Sequence, residues 1–281
     1  MKLDHPRIRT AGLTLMEVMV VAAVLVVIGA ITYPIVIRMR AKANQAHTLK
    51  LMQNLGSAIA TFAAQNDGGL PMEDLDGKDD WGEAMQENAA KVWYNALPQA
   101  MQSKGVGDFA KEGRHAAFYT KESVLFVPGA NYPDKRKLSK PFFAIAMNSR
   151  LQRGGTQLKL SQVAHQNRTV IFFEQGLPGE TRAHQTMSKK DYDGAPKGSA
   201  KSFVARYNGK GIIAFLDGSA RPVSAKELLE PNGEIIWSEN APNDHSMILW
   251  SADPKEDPNG KLVHPSGSSP EKKPAKDEDK Q

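Results

Sequence analysis

The sequence predicts an α+β protein with a long amino-terminal helix. The first half of that helix is membrane-spanning, and its second half packs on an antiparallel β-sheet head. A disordered carboxyl-terminal tail follows. Three observations predict this. Twenty residues, Val18 to Ile37, pass without a charge. A second apolar pattern, Leu51, Leu55, Ile59 and Phe62, recurs at steps of four, four and three and makes one stripe on a helix, widened by Met52. Beyond it come short apolar runs separated by turn signals, which read as strands of one antiparallel sheet.

The first twelve residues hold Lys2, Arg7 and Arg9 against Asp4 and end in Gly12. A cleaved secretory signal would have a shorter apolar core, about 7–15 residues, and a small-x-small site; here the run is longer, and Ile28 stands two positions before the one eligible residue, Ala30. A plain signal anchor of about 20 apolar residues fits the length but leaves Glu17 unexplained. The third reading is a leader cut between Gly12 and Leu13. The cut would create an ammonium group four residues from Glu17, on the same helix face. A carboxylate in the first turn also complements the positive end of the helix dipole. Inside a bundle of apolar helices an acid is costly, on the order of 3 kcal/mol at mid-membrane on insertion scales. A neighbouring copy's amino terminus would offset that cost.

Gly12-Leu13-Thr14-Leu15-Met16-Glu17 resembles the processing motif of type IV pilins and of the pseudopilins of type II secretion. The resemblance implies a membrane peptidase that cuts after Gly12 and methylates Leu13, with Glu17 as the acid used in assembly. Leu13 departs from the family's usual phenylalanine but stays apolar. Pro34 is similar to the helix-bending proline near the end of the pilin membrane segment. Lys2, Arg7 and Arg9 before the anchor are balanced by Arg38, Arg40 and Lys42 after it, so the positive-inside count does not orient the chain. The inner-membrane location, single-pass, with the head in the periplasm or on the cell surface, is implied by the resemblance. So are the expected partners, a prepilin peptidase and other pilin or pseudopilin subunits.

The expected organisation is a leader over 1–12, a transmembrane and assembly helix over 13–37, its continuation over 38–65, an exported head over 66–250 and a tail over 251–281. From Leu13 to Gln65 a straight helix would run about 80 Å. Pro34, lacking an amide donor, is expected to bend or interrupt it. Asn66-Asp67-Gly68-Gly69 is the stop. Leu70 to Trp81 reads as an acidic loop. Asp74, Asp76, Asp79 and Asp80, with Glu73, are weak calcium candidates because hard cations take several carboxylates. The spacing departs from the EF-hand pattern, and a solvated loop is the better reading, so no cofactor is expected. Asn88 to Ser103 reads as a helix with Trp93 and Leu97 on its apolar face, ended or kinked by Pro98.

Strands are expected over Ser123–Val127, Phe142–Met147, Thr169–Phe173, Ser202–Tyr207, Gly211–Leu216 and Ala220–Val223, with late candidates at Ile235–Trp237 and Met247–Trp250. Asn208-Gly209 and Asp217-Gly218 are turn dipeptides. Ser224 with Glu227 forms a capping box. The stretch from Arg206 to Gly218 is similar to the motif of large bacterial pilin-like proteins that has a histidine, then nine residues, then Asp-Gly. Asp217 and Gly218 match, whereas Tyr207 takes the histidine's place. Asn66-Asp67-Gly68-Gly69-Leu70-Pro71 and Ala146-Met147-Asn148-Ser149 also look like that family. After Trp250 the chain is rich in Pro, Gly, Lys, Asp and Glu, which cannot bury enough surface to offset chain entropy.

Composition excludes several chemistries. Without cysteine there is no disulfide, thiolate metal site or cysteine nucleophile. The net charge of +5 is spread along the chain, which suits solvated loops better than a nucleic-acid surface. The seven histidines show no HxH or HExxH spacing, and no nucleophile elbow or phosphate-binding glycine loop appears. His184 near Arg182 offers a possible anion contact, with a surface loop as the better reading. With no catalytic set in evidence no enzyme is expected, and the resemblance implies a structural subunit of a pilus-like or type II secretion assembly. The alternative is a membrane-anchored, exported binding module for a glycan or other substrate that never polymerises. A third and weaker reading is an anchored hydrolase.

Overall fold

The computed structural model describes residues 15–75, 79–134, 139–152, 157–238 and 247–260. Helix α1 runs Leu15–Gln65. By its contacts the chain divides into two units, Met1–Ala43 and Asn44–Gln281, and each is taken by itself.

In the first unit the described residues are helical, and their apolar side chains, from Leu15 to Met39, are exposed. The helix is long and apolar enough to cross a membrane. Pro34 does not interrupt it, although the Ala30 carbonyl thereby lacks its usual amide donor. Two residues before Pro34 the Thr32 hydroxyl bonds back to the Ile28 carbonyl at 2.9 Å.

The second unit opens with the expected stripe. Leu51, Met52, Leu55, Ile59 and Phe62 are buried. The stop forms as its residues dictate. Asp67 and Gly68 turn left-handed, with φ of 53° and 79°, and the Gly68 amide donates to the Ala63 carbonyl at 2.8 Å. Short helices follow: α2 (Trp81–Ala84), α3 (Trp93–Ala100) and α4 (Val106–Lys111). The expected helix over Asn88–Ser103 is instead a 3₁₀ turn, Glu87–Lys91, and then α3. Val92 between them is extended and pairs with Met72. Pro98 lies within α3, which closes at Met101.

Five strands form one sheet: β1 (Ile145–Asn148), β2 (Val170–Glu174), β3 (Lys197–Gly198), β4 (Lys210–Phe215) and β5 (Ala220–Ser224), in the order β3-β1-β2-β4-β5. The sheet is mixed rather than antiparallel, because β3 pairs parallel with β1 while the other three pairings are antiparallel. Pro222 is tolerated because β5 is an edge strand. The Ser123–Val127 segment is turn, not strand. Its amides bond locally, Phe126 to the Ser123 carbonyl and Leu125 to the Ser123 hydroxyl. Ser202–Tyr207 contributes only isolated bridges at Phe203 and Tyr207. The late candidates reduce to single bridges at Ile235 and Leu249.

Both faces of the sheet are covered. Ile145, Met147, Ile171, Phe172, Ile212 and Ala214 join the α1 stripe, Trp93 and Phe143 in one core. Ala146, Val170, Phe173, Ile213 and Val223 join Phe203, Leu228, Ile248 and Trp250 in the other. Neighbours Ile171 and Phe172 fall in the same core because a bulge shifts the β2–β4 register between Val170 and Phe172. The second core depends on the end of the chain. Trp250 meets Phe173 edge to face at 5.2 Å, and Asn148 donates to the carbonyls of Val170 and Trp250, both at 2.9 Å. The head continues past the expected boundary at 250. Asn259 clamps the Ile235 backbone at 2.7 and 2.9 Å, and Arg150 reaches Glu256 at 3.6 Å and the Gly260 carbonyl. The rest of the expected tail, 261–281, lies outside the described residues.

Candidate functional site

The sequence places its strongest functional candidates at the amino terminus. Gly12 and Leu13 lie outside the described residues. Glu17 stands exposed in the first turn of α1, where a carboxylate is favoured by the helix dipole. The most apolar stretch of the helix has none of its residues buried.

In the head, the Asp217-Gly218 motif is turn chemistry that also meets the helix. It closes the β4–β5 hairpin. Gly218 is left-handed at φ 85°, and the Asp217 carboxylate accepts from the Ser219 amide at 2.9 Å and from its hydroxyl at 2.6 Å. The turn sits backbone to backbone on Gly56 of α1, so that a Cβ on Gly56 would lie 2.6 Å from the Gly218 Cα. Tyr207 is buried, with its hydroxyl 2.7 Å from that of Thr48 and 3.3 Å from the Pro128 carbonyl. Burial, and next the charge of Glu174, push its phenol well above the usual range, so it stays neutral. The expected Asn208-Gly209 hairpin follows, with φ of 52° and 77°, as a type I′ turn requires.

The residue before Tyr207 joins two buried ion pairs. The Arg206 side chain is 5% exposed, and all five of its donors are used. Nε bonds Glu180 Oε1 at 3.0 Å. One terminal nitrogen bonds Glu174 Oε1 at 3.1 Å and the Ala144 carbonyl at 3.3 Å; the other bonds Glu180 Oε2 at 2.6 Å and the Gln175 carbonyl at 2.7 Å. Glu174 Oε2 accepts from the Ile212 amide at 2.8 Å. Burial raises the Glu174 carboxyl, opposed by the Arg206 charge. This set ties β2, the 177–180 loop and the Tyr207 turn together. The sequence carries no signal for it, since the partners of Arg206 lie 26 and 32 positions away.

The acidic loop is partly folded inward rather than solvated. Glu73 and Asp74 converge on Lys197 at 3.3 and 2.9 Å, with Asp74 buried. Asp79 pairs with Lys140 at 3.0 Å. Asp80 caps α2 by accepting from the Glu83 amide at 2.8 Å. Asp76 lies outside the described residues. Of the described calcium candidates, Glu73 and Asp74 are thus engaged by one lysine, Asp79 by another and Asp80 by a helix end, and among the described residues no group of three Asp, Glu or His side chains is placed to hold a metal ion. Burial raises the Glu73 carboxyl to about 7, with Lys197 opposing and Asp74 adding to the rise. Trp93 and Tyr94 are core residues, and Trp93 donates to the Pro196 carbonyl at 2.9 Å. His184 lies on a loop beside Arg182 and lines a cleft.

No family model, no curated protein and no solved structure matches the chain.

Proposed function

We propose that this chain is a prepilin-like structural subunit. It is cut between Gly12 and Leu13, methylated at Leu13, held in the inner membrane by the first part of α1, and carries its α+β head on the outer side. Copies assemble laterally through that helix into a pilus-like or type II secretion assembly, with Glu17 neutralised by a neighbour's amino terminus. One observation supports this reading above the others: a helix whose first part is an exposed apolar stretch of bilayer length and whose first turn holds a carboxylate. A reading that gives the first-turn carboxylate of such a helix a role in assembly accounts for more of the segment than a plain anchor does.

The head's architecture is compatible with a subunit that presents a rigid body. Its motif residues are spent on packing: Gly218 seats on Gly56, and Tyr207 bonds Thr48. Mass spectrometry of the mature protein tests the proposal. The expected amino terminus is N-methyl-Leu13; an intact leader, or a cut near Ala30, overturns it.

A further inference from the structure

Residues 178–192 form a loop around a cleft of about 640 Å³, within the usual range of small-ligand sites, about 300–1,000 Å³. Its polar lining includes Glu180, Arg182, His184, Gln185 and Lys189. The walls are fastened. Glu180 is held by Arg206 and by the Leu177 and Asn131 amides. The Tyr192 hydroxyl accepts from the Ala183 amide at 2.9 Å and donates to the Phe203 carbonyl at 2.6 Å. Arg182 donates to the Met187 carbonyl at 2.8 Å. Such a cleft exists before any ligand arrives, which lowers the ordering cost of binding.

Its charge is one-sided. The one lining carboxylate, Glu180, is already matched by buried Arg206. Asp191, on the neighbouring turn, accepts from the Ser188 amide. Among the described residues no carboxylate pairs with Arg182 or Lys189. His184 Nδ1 accepts from the Thr186 amide at 3.3 Å and lies 2.6 Å from its hydroxyl. In the neutral ring the proton is therefore on Nε2, and His184 is a donor without needing to be charged. Two cations and a neutral N–H donor around one concavity are the chemistry of an oxyanion site. The volume far exceeds that of a bare phosphate, and the Gln185 amide adds both donor and acceptor capacity for hydroxyl groups.

We infer that this cleft binds an acidic sugar, with its carboxylate or phosphate oxygens on Arg182 and Lys189 and its hydroxyls on His184 and Gln185. The inference stands apart from polymerisation, because it involves only the head. The test is a ligand-detected NMR titration of the full chain in detergent micelles with glucuronate, glucose 6-phosphate, inorganic phosphate and glucose. At least one acidic sugar is expected to bind roughly tenfold or more tightly than glucose, and more tightly than inorganic phosphate. Whether glucuronate or glucose 6-phosphate is preferred identifies the acid group. Arg182→Gln and Lys189→Gln should each weaken binding about tenfold. Among the described residues the exposed Lys189 side chain makes no internal bond, so Lys189→Gln should leave thermal unfolding unchanged and serves as the control for Arg182→Gln, which also loses the bond to the Met187 carbonyl. Equal binding of glucose and both acids, phosphate binding as tight as either sugar acid, or titrations unaffected by Lys189→Gln would each overturn the assignment.

Discussion

Gly56 on α1 and Gly218 in the β4–β5 turn meet without a side chain between them; a methyl group on Gly56 would stand 2.6 Å from the Gly218 Cα and 3.0 Å from its carbonyl oxygen. Both partners are backbone, so neither can swing aside. Gly56→Ala should therefore destabilise the head by about 1–3 kcal/mol through overpacking, although alanine favours an isolated helix by about 1 kcal/mol. Chemical denaturation of the wild type and the variant measures the difference. A variant as stable as the wild type would show that the turn can lift off the helix.

Arg206 is the second sensitive point. Replacing it by methionine removes the cation and leaves Glu174 and Glu180 buried without their common partner. The expected loss is about 3–5 kcal/mol. Lysine should rescue little, because one ammonium cannot replace a planar fork that uses five donors. Equilibrium unfolding of both variants tests this, and full rescue by lysine would contradict the forked geometry.

Glu73 predicts a pH dependence. Its folded-state value of about 7 lies above its ordinary 4.5, chiefly because the carboxyl is buried. The folded head therefore holds a proton there that the unfolded chain releases. That contribution to stability is complete below about pH 4.5 and is lost as pH rises through about 7. Glu73→Gln should flatten the stability curve across this window and make the head more stable above it, by about 1–3 kcal/mol. Thermal unfolding across the window gives the comparison; parallel curves for the two proteins would assign the titration elsewhere.

Glu17 separates assembly from folding. Under the proposed function, Glu17→Ala should abolish cross-linking between anchor helices in cells while leaving head stability unchanged, because Glu17 lies outside both cores. Normal cross-linking in the variant would count against the proposed ion pair.

Trp250→Ala should cost about 3–5 kcal/mol, the usual range for a buried large aromatic, because the ring is 2% exposed against Phe173. Truncation after Ser238 should have a larger effect, since it removes Trp250, Glu256 and Asn259 together. Limited proteolysis of both forms reports the loosening.

What the sequence disclosed follows the range of the interactions. The stripe from Leu51 to Phe62, the Asn66–Gly69 stop, the Asn208-Gly209 hairpin and the Ser224–Glu227 capping contact, 3.0 Å from the Ser224 amide to Glu227 Oε1, are local. Neighbours within a few positions determine them. Glu73 and Asp74 look like any acidic loop until Lys197, more than a hundred positions later, is brought beside them. Lys197–Gly198 has no strand pattern, and its parallel pairing depends on β1. Residues 251–260 are polar enough to read as tail, yet side chains such as Asn259 and Glu256 fasten them. The Arg182–Lys189 cleft was legible only as the proximity of His184 to Arg182; its walls come from Tyr192 and Glu180.

The contribution of Ile248 and Trp250 to the second core has a consequence in time. A nascent chain that has not yet delivered these residues lacks part of the cover over Phe173 and Val170, so the second core closes late. Late completion makes the delivery of Ile248 and Trp250 a step at which a delayed chain is exposed to aggregation.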